Sequence, residues 1–167
     1  MTEEPGVKFQ LVNIYNPHGV NLIFGQSHFI KTVEDVHEAV VAAVPDAKFG
    51  LAFAEASGAR LIRSSGTSPA MVSLAVKNAR IVSCGHTFFL FLKNLYPINI
   101  LNALKNVAEI VTIYAATGNQ LQVIIAESRQ GRGVMGVIDG STPRSVEKST
   151  DLKYRIALLR QLGYKLS

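Results

Sequence analysis

Five consecutive residues, Phe88–Leu92, form the longest run of large apolar side chains in the chain, and this run constrains the fold more than any other feature. It lacks the polar alternation of a half-exposed strand. Gly85 bounds it on one side, and Asn94 and Pro97 on the other, so it predicts a central strand buried on both faces. Ligands of open sheets collect at strand ends. At one end stands His86, beside a glycine that leaves the backbone approachable, and at the other stands Lys93. Pro97 then opens a helix, where its missing N–H costs nothing. At about 100° per residue, Asn99, Asn102 and Asn106 form one stripe of that helix, opposite Ile100, Leu101, Leu104 and Val107. Asparagine is a mediocre helix former, so the stripe is a candidate polar contact surface.

Around this stretch the pattern predicts further elements in chain order. Val7–Tyr15 and Val20–Phe24 read as strands joined into a hairpin by Asn16-Pro17-His18-Gly19. A helix follows from Thr32, with Val33, Val36, Val40 and Val44 as its buried stripe and Pro45 as its stop. Lys48–Ala54 and Ala59–Arg63 are strands about a small-residue turn, and Ser68-Pro69 starts a helix to about Arg80. After the central strand and its helix, Glu109–Ala116 and Leu121–Ala126 are β-branched runs with a hairpin signal between them. A glycine-rich loop leads to Val134–Ile138, and a last helix from Ser149 or Thr150 has Leu152, Ile156, Leu159 and Leu162 as its core side. The order ββα ββα βα βββα, without linker or repeat, predicts one α/β domain over residues 1–167. Its expected architecture is a mixed sheet covered by four helices.

A chain of 167 residues can bury about 70% of its unfolded surface. Only 17% of its residues are charged, against about 25% in typical domains, and this predicts a homo-oligomer that hides part of the surface. The net charge of +5 suits phosphate-bearing partners. Its basic residues are scattered singly, which argues against a nucleic-acid tail. The acidic start MTEEPG is unlike a signal peptide, and no apolar stretch nears the roughly 20 residues that span a bilayer. The expectation is therefore a cytoplasmic protein with no membrane partner. Cys84 alone allows no disulfide within the chain and predicts an inert buried thiol.

Gly131-Arg132-Gly133-Val134-Met135-Gly136 matches G-x-G-x-x-G, but a β-type run follows where a dinucleotide fold needs a helix. Two readings remain: a tight connection between strands, or a loop lying over phosphates. Arg129 and Arg132 beside the Gly131 and Gly133 backbone favour the second, through charge-assisted hydrogen bonds. Among the histidines, His37 reads as structural and His18 as solvated, while His28 lies in a loop that can border a site. His86, at the mouth of the central strand, can be a base, a phosphate ligand or a phosphoryl acceptor. Glu55 and Asp139 each end a strand before a small-residue turn and can bind ribose hydroxyls or Mg²⁺. Arg60 and Arg63 lie three apart on a strand, so they point to opposite faces and at most one of them reaches a given pocket. No His/Asp/Glu spacing marks a metal site.

GQSHFIKTVEDV (25–36), KFGLAFAEASGARLIR (48–63), GHTFFLFLKNLYPINILNALKNV (85–107) and ESRQGRGVMGVIDG (127–140) together resemble the adenosine-specific kinase family of archaea and bacteria. The resemblance runs over nearly the whole chain. It implies a single α/β domain that binds adenosine or AMP and a trimeric assembly, with His86 as a candidate phosphoryl carrier. Lys93, Asn99, Asn102, Glu55, Arg63 and Asp139 are then candidate nucleotide contacts. Arg129, Gly131, Arg132 and Gly133 are the candidate phosphate contacts. The family's Gly-Asn-Asp and Asp-Gly-Phe stand here as Gly66-Thr67-Ser68 and Asp139-Gly140-Ser141.

Two readings follow: an adenosine-directed phosphotransferase acting through phosphohistidine, with Mg²⁺ brought by a nucleotide donor, or an adenosine/AMP-sensing module without turnover. The sequence requires no other cofactor. An RNA-binding reading is weaker, because the charge is scattered and no aromatic motif of the RNP type is present.

Overall fold

The computed structural model describes residues 6–166; the acidic start, Met1–Pro5, lies outside the described residues. Twelve elements follow in the expected order: β1 (Lys8–Asn13), β2 (Asn21–Ser27), α1 (Thr32–Ala43), β3 (Phe49–Ala54), β4 (Ile62–Gly66), α2 (Pro69–Val82), β5 (Thr87–Leu92), α3 (Pro97–Lys105), β6 (Ile110–Thr117), β7 (Leu121–Glu127), β8 (Arg132–Asp139) and α4 (Ser149–Gln161). In place of one mixed sheet there are two, ordered β4-β3-β5-β2-β6 and β1-β7-β8. Every pairing is antiparallel.

The apolar run behaves as its composition demands. All six residues of β5 are buried between β3 and β2. Phe89 and Phe91 pack toward α2 and the small sheet. Phe88, Leu90 and Leu92 pack toward α1 and α3 on the other face.

Two expected hairpins do not form, and burial explains why. In β2, Leu22, Ile23 and Phe24 are wholly buried, so this strand needs partners and cover on both sides and lies between β5 and β6. In β1 exposed and half-buried residues alternate, which suits an edge, and it pairs with β7 instead. Between them Asn16 closes a local turn by bonding both N–H and C=O of Val20. The buried Asn78 amide of α2 grips both backbone groups of Tyr15. That grip carries the chain from the small sheet to the large one. Likewise β6 pairs with β2 and β7 with β1 and β8, so the Thr117–Gln120 turn joins two sheets.

Among the described residues four helices form, and α1, α2 and α3 cover the large sheet. The last one departs from expectation: α4 has no buried residue, and its presumed core side, Leu152, Ile156, Leu159 and Leu162, has no core of its own chain to enter. Among the described residues no helix is long and apolar enough to cross a membrane.

Candidate functional site

One end of the large sheet gathers the last residues of β2 and β3 and the first of β4 and β5. His86 caps this end. Its N–H donates to the Ala54 carbonyl at 2.7 Å, and its carbonyl accepts the Ser27 N–H at 2.8 Å, which clamps it between β3 and β2. The clamp holds His86 at φ 61, in the left-handed region. That region costs a residue with a Cβ roughly 1–2 kcal/mol. Arg60 at φ 52 and Ser83 at φ 51 are the other non-glycine residues so placed among the described residues. Both line a cavity of about 890 Å³ whose wall includes Gly85, next to His86. Such strain collects where a site over-determines its backbone.

The cavity lies on the α2 side of the sheet end. Its walls are the β3–β4 turn, the C-terminus of α2 and the β7–β8 turn. Glu55 accepts the Leu61 N–H at 2.7 Å and Arg63 Nε at 3.0 Å. The Leu61 N–H first, and the Arg63 guanidinium second, hold its carboxyl below the usual range. Arg63 is thereby spoken for. Gly131 and Gly133 have open space where a Cβ would stand, so their backbone is accessible. The Arg132 guanidinium is already engaged, bonding Glu127 and Gln10 and reaching the Ile81 and Val82 carbonyls at the end of α2. There it complements the negative end of the helix dipole. Of the pair Arg60 and Arg63, Arg60 lines the cavity; it makes no ion pair among the described residues and is the cavity's uncommitted cation.

The structure thus brings together Glu55, Gly131, Arg132 and Gly133, with Arg63 held behind them and His86 at the rim. The His86 ring stacks 5.9 Å from Phe53, whose side chain belongs to the α1/α3 face. A phosphate moving from the cavity to the ring must therefore pass over the sheet end at Gly85. No side chain larger than glycine fits there, since a Cβ would stand 2.8 Å from that of Ala56. Arg129 is exposed in the β7–β8 turn, outside the cavity lining.

Lys93 and Asp139 lie at the opposite end, separated from His86 by the six residues of β5, roughly 20 Å at the strand rise. Asn99 and Asn102 lie on α3, which carries the chain back from that end toward Ile110 beside Ser27, and neither lines the cavity. The asparagine stripe has local work: Asn99 accepts the Tyr96 N–H as a helix cap, and Asn106 donates to the Asn102 carbonyl. Asp139 accepts from Thr117 and Asn119 at the β6–β7 turn. His37 bonds Ser65 Oγ at 2.7 Å and meets Phe49 edge-on, as a structural histidine. His18 is exposed in its turn. His28 stacks on Phe29 and donates its N–H to the Glu109 carbonyl, one residue beyond the Ser27 clamp.

The sequence profile of the family described as adenosine specific kinase matches residues 12–165. The chain belongs to this family. Among solved structures it is similar to the crystal structure of the PH1918 protein from Pyrococcus horikoshii OT3. The two are 41% identical, the match covers 97% of this chain and 100% of that one, and the TM-score is 0.92. No curated protein matches the sequence. Parts of all four stretches that resemble the family meet at the sheet end: Ser27, the β3–β4 turn, Gly85-His86 and the β7–β8 turn.

Two cavity features escaped sequence reading. Ser83 owes its place to backbone conformation, which leaves no pattern in residue types. Cys84 read only as an inert thiol, yet it lies at the cavity floor, 1% exposed. Burial pushes its thiol up to about 11, so at pH 8 only about one molecule in a thousand is thiolate. Iodoacetamide at pH 8 is expected to label Cys84 at least about 100-fold more slowly in the native protein than in urea. Comparable rates would contradict a closed floor.

Proposed function

We propose that this protein binds adenosine and AMP in the cavity at the His86 end and is an adenosine-directed phosphotransferase acting through phosphohistidine. The observation that carries the reading is the pair of left-handed residues Arg60 and Ser83 lining one cavity beside an open glycine turn, with the left-handed His86 directly after the lining residue Gly85. Arg60 and the Gly131–Gly133 backbone meet the phosphate, and Glu55 faces the ribose hydroxyls. In the first step a ring nitrogen of His86 attacks the terminal phosphorus of a nucleoside triphosphate. The N–P bond forms as the bridging P–O bond breaks and the diphosphate leaves. The 5′-hydroxyl of adenosine then attacks that phosphorus. The N–P bond breaks, and its electron pair returns to the ring nitrogen, which takes up the hydroxyl proton. Mg²⁺ would arrive with the triphosphate donor. A cytoplasmic homotrimer fits the low charged fraction of 17%.

A second reading, an AMP sensor without turnover, is favoured by one observation: the His86 ring faces Phe53 rather than the cavity. Incubation with labelled ATP and adenosine separates the two. Labelled AMP, formed catalytically, is expected. Binding of adenosine with no AMP formed would leave the sensor.

A further inference from the structure

Among the described residues, two apolar surfaces lack a partner within the chain. On the small sheet, Val12, Val123, Ile125 and Val134 face the core. The alternate residues form an outer face on which Phe9, Leu11, Met135 and Ile138 are exposed. The second surface is the arm 140–166, a lead-in exposed from Ser141 onward followed by α4, where Leu152, Ile156, Leu162 and Tyr164 are exposed. A thirteen-residue helix without packing is marginal in water, so α4 needs cover.

We propose that the arm seats on the outer face of the small sheet of a second copy of this chain. Dimensions match: α4 is about 20 Å long, and the six to eight residues of β1 and β8 run about 20–27 Å. At about 27 residues, the arm supplies the 20–30 residues per side of a stable interface. The lead-in 140–148 can extend about 30 Å, enough to cross to a neighbour. The pose also belongs to the fold. The arm is roughly a sixth of the chain, and a TM-score of 0.92 could not be reached if it lay elsewhere in the PH1918 structure. A helix that keeps its place in two chains without touching its own core is placed by something outside it. The same chain carries the apolar face that can do so. This inference is independent of the nucleotide reading.

The test is the solution mass of the full chain, by light scattering at micromolar concentration, with three single variants. Leu11→Asp alters the sheet face and Ile156→Asp the arm, while Ile98→Asp is a control at an exposed apolar position on α3. All three sites are exposed in the single chain, and circular dichroism checks that each variant folds. A multiple of the chain mass is expected for the parent and for Ile98→Asp. Both Leu11→Asp and Ile156→Asp are expected to fall to the mass of one chain. A monomeric parent overturns the proposal, including one that sediments with phosphatidylglycerol vesicles through its basic arm. So does an oligomer that survives either face variant.

Discussion

After incubation with a nucleoside triphosphate, the intact protein is expected to gain about 80 Da, one phosphate, and to lose it on mild acid treatment. His86→Gln should abolish the adduct, and His37→Gln should keep it. The structure gives the second variant its force, because His37 is hydrogen-bonded to Ser65 and packed against Phe49, well away from the sheet end. Asparagine tolerates the left-handed region better than most residues, so His86→Asn should fold at least as well as the parent while still losing the adduct. That variant separates the chemistry of the ring from the strain of its backbone. An adduct that survives in both His86 variants would return His86 to a structural role.

The largest effect on stability is expected from a single added methyl group. Gly50 of β3 lies directly under α2, and a Cβ there would stand 2.0 Å from the Val72 nitrogen and 2.1 Å from the Met71 carbonyl carbon. Both contacts are backbone in a helix, so relief requires moving α2 as a body. That movement would disturb Met71, Leu74, Ala75 and Ala79, which fill the core between α2 and the sheet. Gly50→Ala should therefore destabilise by about 3 kcal/mol or more, at the upper end for overpacking. At this chain length that is a fall in Tm of about 6–12 °C. A change below about 1 kcal/mol would mean that α2 packs on β3 less closely than described.

Element positions were legible in the sequence because periodicity reports which residues are buried. Phe88–Leu92 is the clearest case: an unbroken apolar run has only a central place to go. Pairing was less legible, since burial says that a strand needs neighbours but not which ones. The wholly apolar β2 and the alternating β1 look like consecutive strands of a hairpin, and only the Asn78 grip on Tyr15 shows the chain changing sheets. Leu152, Ile156, Leu159 and Leu162 were a true apolar stripe, but a stripe does not say whether the core it seeks is its own. At the site, His86 stood out because it follows a glycine at the mouth of the central strand. Arg132 also stood out, yet its guanidinium is used to tie β8 to α2. Arg60 reads as a strand residue facing away from Arg63, but it stands before β4 in a left-handed conformation that nothing in its neighbours signals.

Calorimetric titration with AMP tests the location of the nucleotide site most directly, with the parent compared to Arg60→Ala. A charge-assisted hydrogen bond to phosphate contributes about 1.5–3 kcal/mol, so the variant should bind AMP about 10- to 150-fold more weakly. Adenosine, which has no phosphate, should bind the two proteins alike, and GMP should bind the parent more weakly than AMP does. Unchanged AMP affinity in Arg60→Ala, or equal affinity of the parent for AMP and GMP, would contradict an adenine nucleotide in this cavity.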